Sequence, residues 1–410
     1  MKYLLLLLVV ISQNIFGQQS NYIVEAPSYI KTFQVNNGKF PKPSNIIEFS
    51  HFVYASFDDI DADEKDYYYK IVRLDENWQP TQLQVSEYID GFQSDIITDV
   101  VQSTGTLQSY THYAVRFPNE STKILLSGNY IFQILNDDEE VVCSKPFVLY
   151  KKNIDVGIQV KWSNDVANRY KTQMIDFFLY KGDYSIMNET QSLKILLIQN
   201  DNWHSALQFS SPTFYQGNKW IYHQPQKALF NGLNEFRRFE TKDLRGNNYN
   251  IVRRELTNDL YDFYLYTTSF RDHYLYYKDL DGAYVLSSEQ AEDVSVEADY
   301  VNVHFSFDGE INNDEKLYVL GQFNDYTPSE NNELKLNEQT GLYETSIRLK
   351  QGYYNYIYGI KTGNQMDYTI TEGNFYQTEN NYKLLVYYRA PGSRYAKVIG
   401  YGEVESSDLK

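Results

Sequence analysis

Hydrophobic and polar residues alternate with a period close to two along most of the chain. In residues 47–55 (IEFSHFVYA) the odd positions are mostly apolar, and Tyr113-Ala114-Val115-Arg116-Phe117 alternates again. Alternation places successive side chains on opposite faces, the signature of a half-buried strand. Lys194-Ile195-Leu196-Leu197-Ile198 is instead a short continuous apolar run, as expected of a strand covered on both faces. Residues 262–270 (DFYLYTTSF) and 383–389 (KLLVYYR) are rich in the aromatic and β-branched residues that suit a pleated surface. No helical period is sustained. The best helix candidate, Ser288 to Glu297, is short and acidic. Turn signals at Asp137-Asp138-Glu139-Glu140, Asp281-Gly282 and Thr340-Gly341 cut the chain into strands at the spacing of β-sandwiches.

The pattern predicts an all-β protein of three consecutive, immunoglobulin-like β-sandwich domains. Boundaries are expected near Lys151-Lys152-Asn153 and near Asp293 to Asp299, giving blocks 18–152, 153–296 and 297–410. Leu126-Ser127-Gly128-Asn129-Tyr130 in the first block is echoed by Leu349-Lys350-Gln351-Gly352-Tyr353 in the third. A glycine turning into a tyrosine-bearing strand is common in such sandwiches. Residues 1–17 read as a secretory signal peptide. Met1-Lys2 is followed by the apolar run Tyr3 to Ile11 and a polar stretch that ends at Gly17, where cleavage is expected. The run is about half of the ~20 apolar residues a spanning helix needs. No cysteine lies beside the cleavage point to carry a lipid.

Composition narrows the function. The net charge of −17 becomes −18 once Lys2 leaves with the signal, so the chain repels nucleic acid and anionic lipid. The pairs Arg237-Arg238 and Arg253-Arg254 are expected to meet local carboxylates. A single cysteine, Cys143, permits no internal disulfide and sits in strand-like Val141-Val142-Cys143, where a buried small hydrophobe is expected. The six histidines show no metal-binding spacing, and no G-x-S-x-G elbow or glycine-rich phosphate loop occurs. Asp59, Asp61 and Asp63 begin like a calcium loop. The glycine and bidentate glutamate positions of that loop, however, hold Glu64 and Lys70. Among 54 acidic residues no spacing singles out a catalytic pair. No catalytic, cofactor-binding or metal-binding residue is expected.

In the last block, Gly321-Gln322-Phe323-Asn324-Asp325-Tyr326, then Gly341-Leu342-Tyr343 and Gly352-Tyr353-Tyr354-Asn355-Tyr356, resemble the immunoglobulin-like glycogen-binding modules of starch-active enzymes. Tyr326 stands where those modules carry tryptophan. An extracytoplasmic carbohydrate-binding protein is therefore the alternative reading.

A broader resemblance spans nearly the whole mature chain. It runs through Phe57-Asp58-Asp59, Tyr67 to Ile71, Asp75, Trp78, Ser86 to Phe92, Tyr110 to Tyr113, Arg116 to Asn119 and Leu126 to Tyr130. It continues through Ile198 to Trp203, Gly232 to Arg237, Glu372 to Tyr376 and Leu385 to Arg389. This ordered set resembles the plug protein family of the type IX secretion system. The resemblance implies a non-enzymatic periplasmic protein without a cofactor, peripherally associated with the outer-membrane translocon barrel and closing its periplasmic mouth. Candidate partner contacts are Trp78, Tyr88, Asp90, Gly91, Phe92, Arg116, Phe117, Pro118 and Asn119. The alternative is that they pin the first sandwich, with Asp90-Gly91 as a turn and Arg116 paired to a buried carboxylate.

Overall fold

The strand Gly128–Leu135 (GNYIFQIL) is buried at every position. Its side chains still alternate: Tyr130, Phe132 and Ile134 enter one apolar core, and Ile131 enters another. Asn381–Tyr388 (NYKLLVYY) does the same, with Tyr382, Leu384, Val386 and Tyr388 on one side and Leu385 and Tyr387 on the other. Strands of this kind belong to sheets covered on both faces. The protein contains two such sheets, one against the other. In the computed structural model, which describes residues 23–163, 165–258 and 260–409, strands hold 49% of the described residues and helices 5%. The expected signal peptide, 1–17, lies outside the described residues.

Four sheets stack in order. Layer one contains Ile30–Asn36, Val53–Asp59, Thr111–Phe117 and Asp99–Gln102. Layer two contains Ile46–Glu48, Val141–Tyr150, Gly128–Leu135, Tyr68–Leu74 and Ser94–Ile96. Phe57, Tyr113, Phe132 and Phe147 help fill the core between them, and Cys143 lies there as a buried small residue whose thiol burial pushes up to about 12. Layer three contains Asn202–Phe209, Leu193–Gln199, Asn381–Tyr388 and Lys397–Glu405. Layer four is built on Asp155–Trp162, Thr172–Tyr180, Lys219–Tyr222 and Phe214–Gln216. Between layers two and three runs an apolar seam that includes Ile131, Val148, Leu196, Ile198, Leu385 and Tyr387.

Layer three corrects the expectation of consecutive domains. Leu193–Gln199 pairs along its whole length with Asn381–Tyr388, Ile195 opposite Val386. The second sandwich is therefore closed by residues that follow the third. The third domain is an insert, in which strands from Arg237–Glu240 to Gln365–Asp367 form one eleven-stranded sheet around Phe239, Phe305, Tyr356 and Ile360. The boundary expected near 293–299 falls inside this sheet, where Leu260–Leu265 lies parallel to Tyr300–Asp308. The physical reason is the same in both cases: an apolar strand takes whatever partner buries it, however distant in sequence. The helix candidate at Ser288 to Glu297 shrinks to one turn, Val294–Glu297, capped by the Asp293 carboxylate on the Ser295 N–H.

A buried ion pair fastens the insert to the first domain. Lys350 Nζ donates to Asp58 Oδ2 at 2.7 Å, and both side chains are 1% exposed. Tyr300 donates its hydroxyl to the same oxygen at 2.5 Å, and His112 Nδ1 lies 2.6 Å from Asp58 Oδ1. Burial draws the Lys350 pKa below its ordinary value, against the pull of the Asp58 carboxylate. Removing one partner of such a pair leaves an uncompensated charge. Lys350→Met is expected to cost about 3–5 kcal/mol in urea unfolding, and Lys350→Met with Asp58→Asn much less. Equal losses in the single and double variants would contradict this account.

The insert leaves the second sandwich at 232–236 and returns at 373–381. Glu235 sits in the outgoing crossing and is fully buried. Its Oε1 accepts from the Tyr274 hydroxyl at 2.6 Å and from the Glu379 N–H at 3.3 Å. Burial is the main cause that pushes this carboxyl from 4.5 up to about 7, and the nearby Glu379 and Asp281 charges add to it. Between these values the folded state holds more protons than the unfolded one. Stability from this group is thus present at low pH and is lost as pH rises through about 7. Glu235→Gln, neutral throughout, is expected to lose less stability between mildly acid and mildly alkaline buffer. Parallel urea midpoints for the two proteins across that range check the difference.

Candidate interaction surface of the first domain

The outer face of layer one is half covered. At one end Asp58, His112 and Tyr110 meet the insert. At the other end Phe52 and Tyr54, both 41% exposed, face outward. The cause is local: Tyr54 is out of phase with the apolar positions Val53 and Ala55, which point into the core. Arg116 stands opposite Tyr54 on the neighbouring strand, and its guanidinium lies 4.6 Å over the Phe52 ring. A surface of aromatic residues and arginine has the composition of a protein-contact site.

Beside this patch is an open groove of about 780 Å³. Tyr54, Arg116, Pro118 and Asn119 contribute to its walls, with Asp95 and Asp99 from the crossing between layers two and one. Beside its wall at Asn119, Glu120 and Ser121 lies a short antiparallel strand pair. Ile89–Gly91 pairs with Thr122–Ile124, Asp90 opposite Lys123. The Phe92 N–H donates to the Ser121 carbonyl at 2.8 Å, and the Thr122 hydroxyl donates to the Phe92 carbonyl at 2.8 Å. Asn119 Oδ1 accepts from the Ser121 and Thr122 N–H groups at 3.0 and 2.7 Å, which closes the turn.

The candidate contacts therefore divide. Asp90, Gly91, Phe92, Arg116, Pro118 and Asn119 come together at one end of the first domain, and Phe92 is 65% exposed. Trp78, Tyr88 and Phe117 are buried and cannot meet a partner as folded, which corrects their assignment. Trp78 is a contact of another kind. It packs edge-on against Trp203 with ring centroids 5.6 Å apart, inside the seam to layer three. Tyr88 accepts from Gln93 Nε2 at 2.9 Å, and Phe117 stacks on Phe132 in the first core. Phe52, Tyr54, Asp95 and Asp99 were missed. The outward phase of Tyr54 in the 47–55 run was the available signal.

Other sequence features are explained by the interior. Tyr326, at the position of a sugar-stacking tryptophan, is 2% exposed and donates its hydroxyl to the Asn200 carbonyl at 3.1 Å. It is a packing residue between the insert and the second sandwich, so the expected sugar platform is absent there. Within the acidic loop Lys65 Nζ reaches Asp59 and Asp61 at 2.8 and 2.7 Å. Arg237 and Arg253 meet Glu372 and Glu255, whereas Arg238 and Arg254 donate to backbone carbonyls. Among the described residues no group of three or more His, Cys, Asp or Glu could hold a metal ion, and no helix is long and apolar enough to cross a membrane.

Residues 30–151 match the family described as type 9 secretion system plug protein 1st domain. The first domain is thus similar to the first domain of type 9 secretion plug proteins. The matched span is layers one and two, and it contains the groove. The plug family is a non-enzymatic, secretion-related one. The whole chain is also similar to a crystal structure of a hypothetical protein from Parabacteroides merdae ATCC 43184. That likeness has 28% identity and a TM-score of 0.90, over 95% of this chain and 100% of the other. Two further solved structures are much more distant. The biofilm associated protein BSP domain has 7% identity and a TM-score of 0.18, over 94% of this chain and 60% of its own. The biofilm associated protein B domain has 9% identity and a TM-score of 0.18, over 95% and 89%. Neither bears on the fold. No curated protein matches the chain.

In this domain the pairing of Ile89–Gly91 with Thr122–Ile124 depends on Gly91, whose φ is +97° and where an added Cβ would fall 2.1 Å from the Ser121 carbonyl oxygen. Gly91→Ala is expected to cost about 2 kcal/mol or more. Phe92→Ala and Arg116→Ala should stay within about 0.5 kcal/mol of the parent, because both side chains are exposed. Thermal unfolding of the three variants checks the ranking.

Proposed function

We propose that the chain is a non-enzymatic periplasmic plug that closes the periplasmic opening of the outer-membrane translocon barrel of type 9 secretion. The observation that carries this reading is the plug-family match over residues 30–151. The architecture suits the task. A plug must hold its shape across a wide opening, and then leave it. Four sheets bonded through three apolar cores, with an insert tied on by a buried ion pair, make one stiff body. The patch at Phe52, Tyr54, Phe92 and Arg116 lies on the end of that body not covered by the insert, and it is the surface offered to the barrel.

Deleting the chain is expected to let large antibiotics cross an outer membrane whose secretion is idle, and re-expression should restore the seal. A tagged copy should recover the barrel from detergent-solubilised membranes, and Phe92→Ala with Arg116→Ala should weaken that recovery while the fold survives. A deletion strain that stays sealed, or a tagged chain that never recovers the barrel, would contradict the proposal.

A further inference from the structure

The strand Asp99–Gln102 covers only part of its neighbour Thr111–Phe117. Its last pairing sets Asp99 against Ala114. The preceding residues cross to layer two, where Ser94–Ile96 pairs with residues 68–70. On its other side Thr111–Phe117 remains paired to the end, Phe117 opposite Val53. Residues 115–117 therefore have one partnered side and one bare side.

The phase of the ladder says which groups face the bare side. The Ser103 N–H donates to the Tyr110 carbonyl at 2.8 Å. Hydrogen-bonded positions of an antiparallel pair recur at every second residue. Residues 110, 112 and 114 thus turn their backbone groups toward Asp99–Gln102, and Arg116 turns its N–H and C=O toward the gap. The groove of about 780 Å³ lies against this gap, within the range of about 300–1,000 Å³ common for binding sites. Its charged walls are Asp95, Asp99 and Glu120, against one cation, Arg116, whose guanidinium is engaged with the Phe52 ring.

We propose that the groove takes an extended, basic segment of a partner protein as an added strand alongside residues 115–117. The backbone of Arg116 supplies the anchoring hydrogen bonds, and Asp95, Asp99 and Glu120 receive lysine or arginine side chains from the segment. This is strand addition at an exposed sheet edge, with the charges selecting the partner. It rests on the reading of the chain as a protein-binding plug and names the chemistry of the partner at that site.

The test uses the full chain and a short peptide of alternating valine and lysine, followed by fluorescence anisotropy and by hydrogen exchange at the Arg116 amide. Two controls carry glutamate for lysine, or N-methyl groups on alternate peptide nitrogens. The lysine peptide is expected to bind about tenfold more tightly than either control and to slow exchange at Arg116. Asp95→Lys with Asp99→Lys should reverse the charge preference. Equal binding of the methylated peptide, equal binding of the glutamate peptide, or no binding at all overturns the proposal. If the doubly substituted chain still recovers the translocon barrel undiminished, the groove is not the docking point, while the plug reading stands. If the wild-type chain binds the lysine peptide as expected but never recovers the barrel, the groove stands and the plug reading falls.

Discussion

The seam between layers two and three is the constraint on which the rest of the structure depends. Leu196, Ile198, Leu385 and Tyr387 on one side, and Ile131 and Val148 on the other, have no water-facing alternative, because the opposite faces of their strands are already committed to sandwich cores. Burying such side chains is worth about 1.5–3 kcal/mol each relative to exposure. Two separate sandwiches would each present a bare apolar sheet face. The seam joins them, and polar contacts fix the register at its edges. Tyr387 donates its hydroxyl to Asn129 at 2.8 Å, Arg73 donates to the Ala396 carbonyl at 2.7 Å, and Arg389 reaches Glu76 at 2.7 Å.

The insert is held by different physics. Asp58 and Lys350 form a charge pair removed from water, supported by the Tyr300 hydroxyl and His112. Such a pair need not add net stability over an apolar replacement, but it tolerates few geometries. It sets where the insert sits on layer one, and so which half of that face is left open. The exposed patch is in this sense a by-product of the placement: the same strands that present Asp58 and His112 to the insert present Tyr54 and Arg116 to solvent.

The sequence made the local level readable. The period of two identified an all-β chain, and the continuous run Lys194 to Ile198 announced a strand buried on both faces, which it is. What covers that strand was not readable. Its partner begins at Asn381, and no periodicity reports a pairing across the whole of an inserted domain. The same blindness misplaced Trp78, a loop tryptophan that a polar neighbourhood made look exposed, but which Trp203 of the second sandwich covers. At and beside the groove, residues such as Asn119 and Gly91 stand out in sequence because tight local geometry needs them. The outward-facing residues, Tyr54 and Phe52, look ordinary.

The discontinuous second sandwich has a consequence for how the molecule comes into being. Synthesis proceeds from the N-terminus, so the first domain can complete its own core as soon as Tyr150 has been made. Layer three cannot form until residues 381–405 arrive, after the entire insert. Until then, the outward face of layer two carries Ile131 and Val148 uncovered, and the apolar run at 193–198 waits without its neighbour. The last two strands act as the clasp that turns three loosely linked parts into one body. The unfinished chain is the form of this protein most exposed to aggregation and to the binding of chaperones.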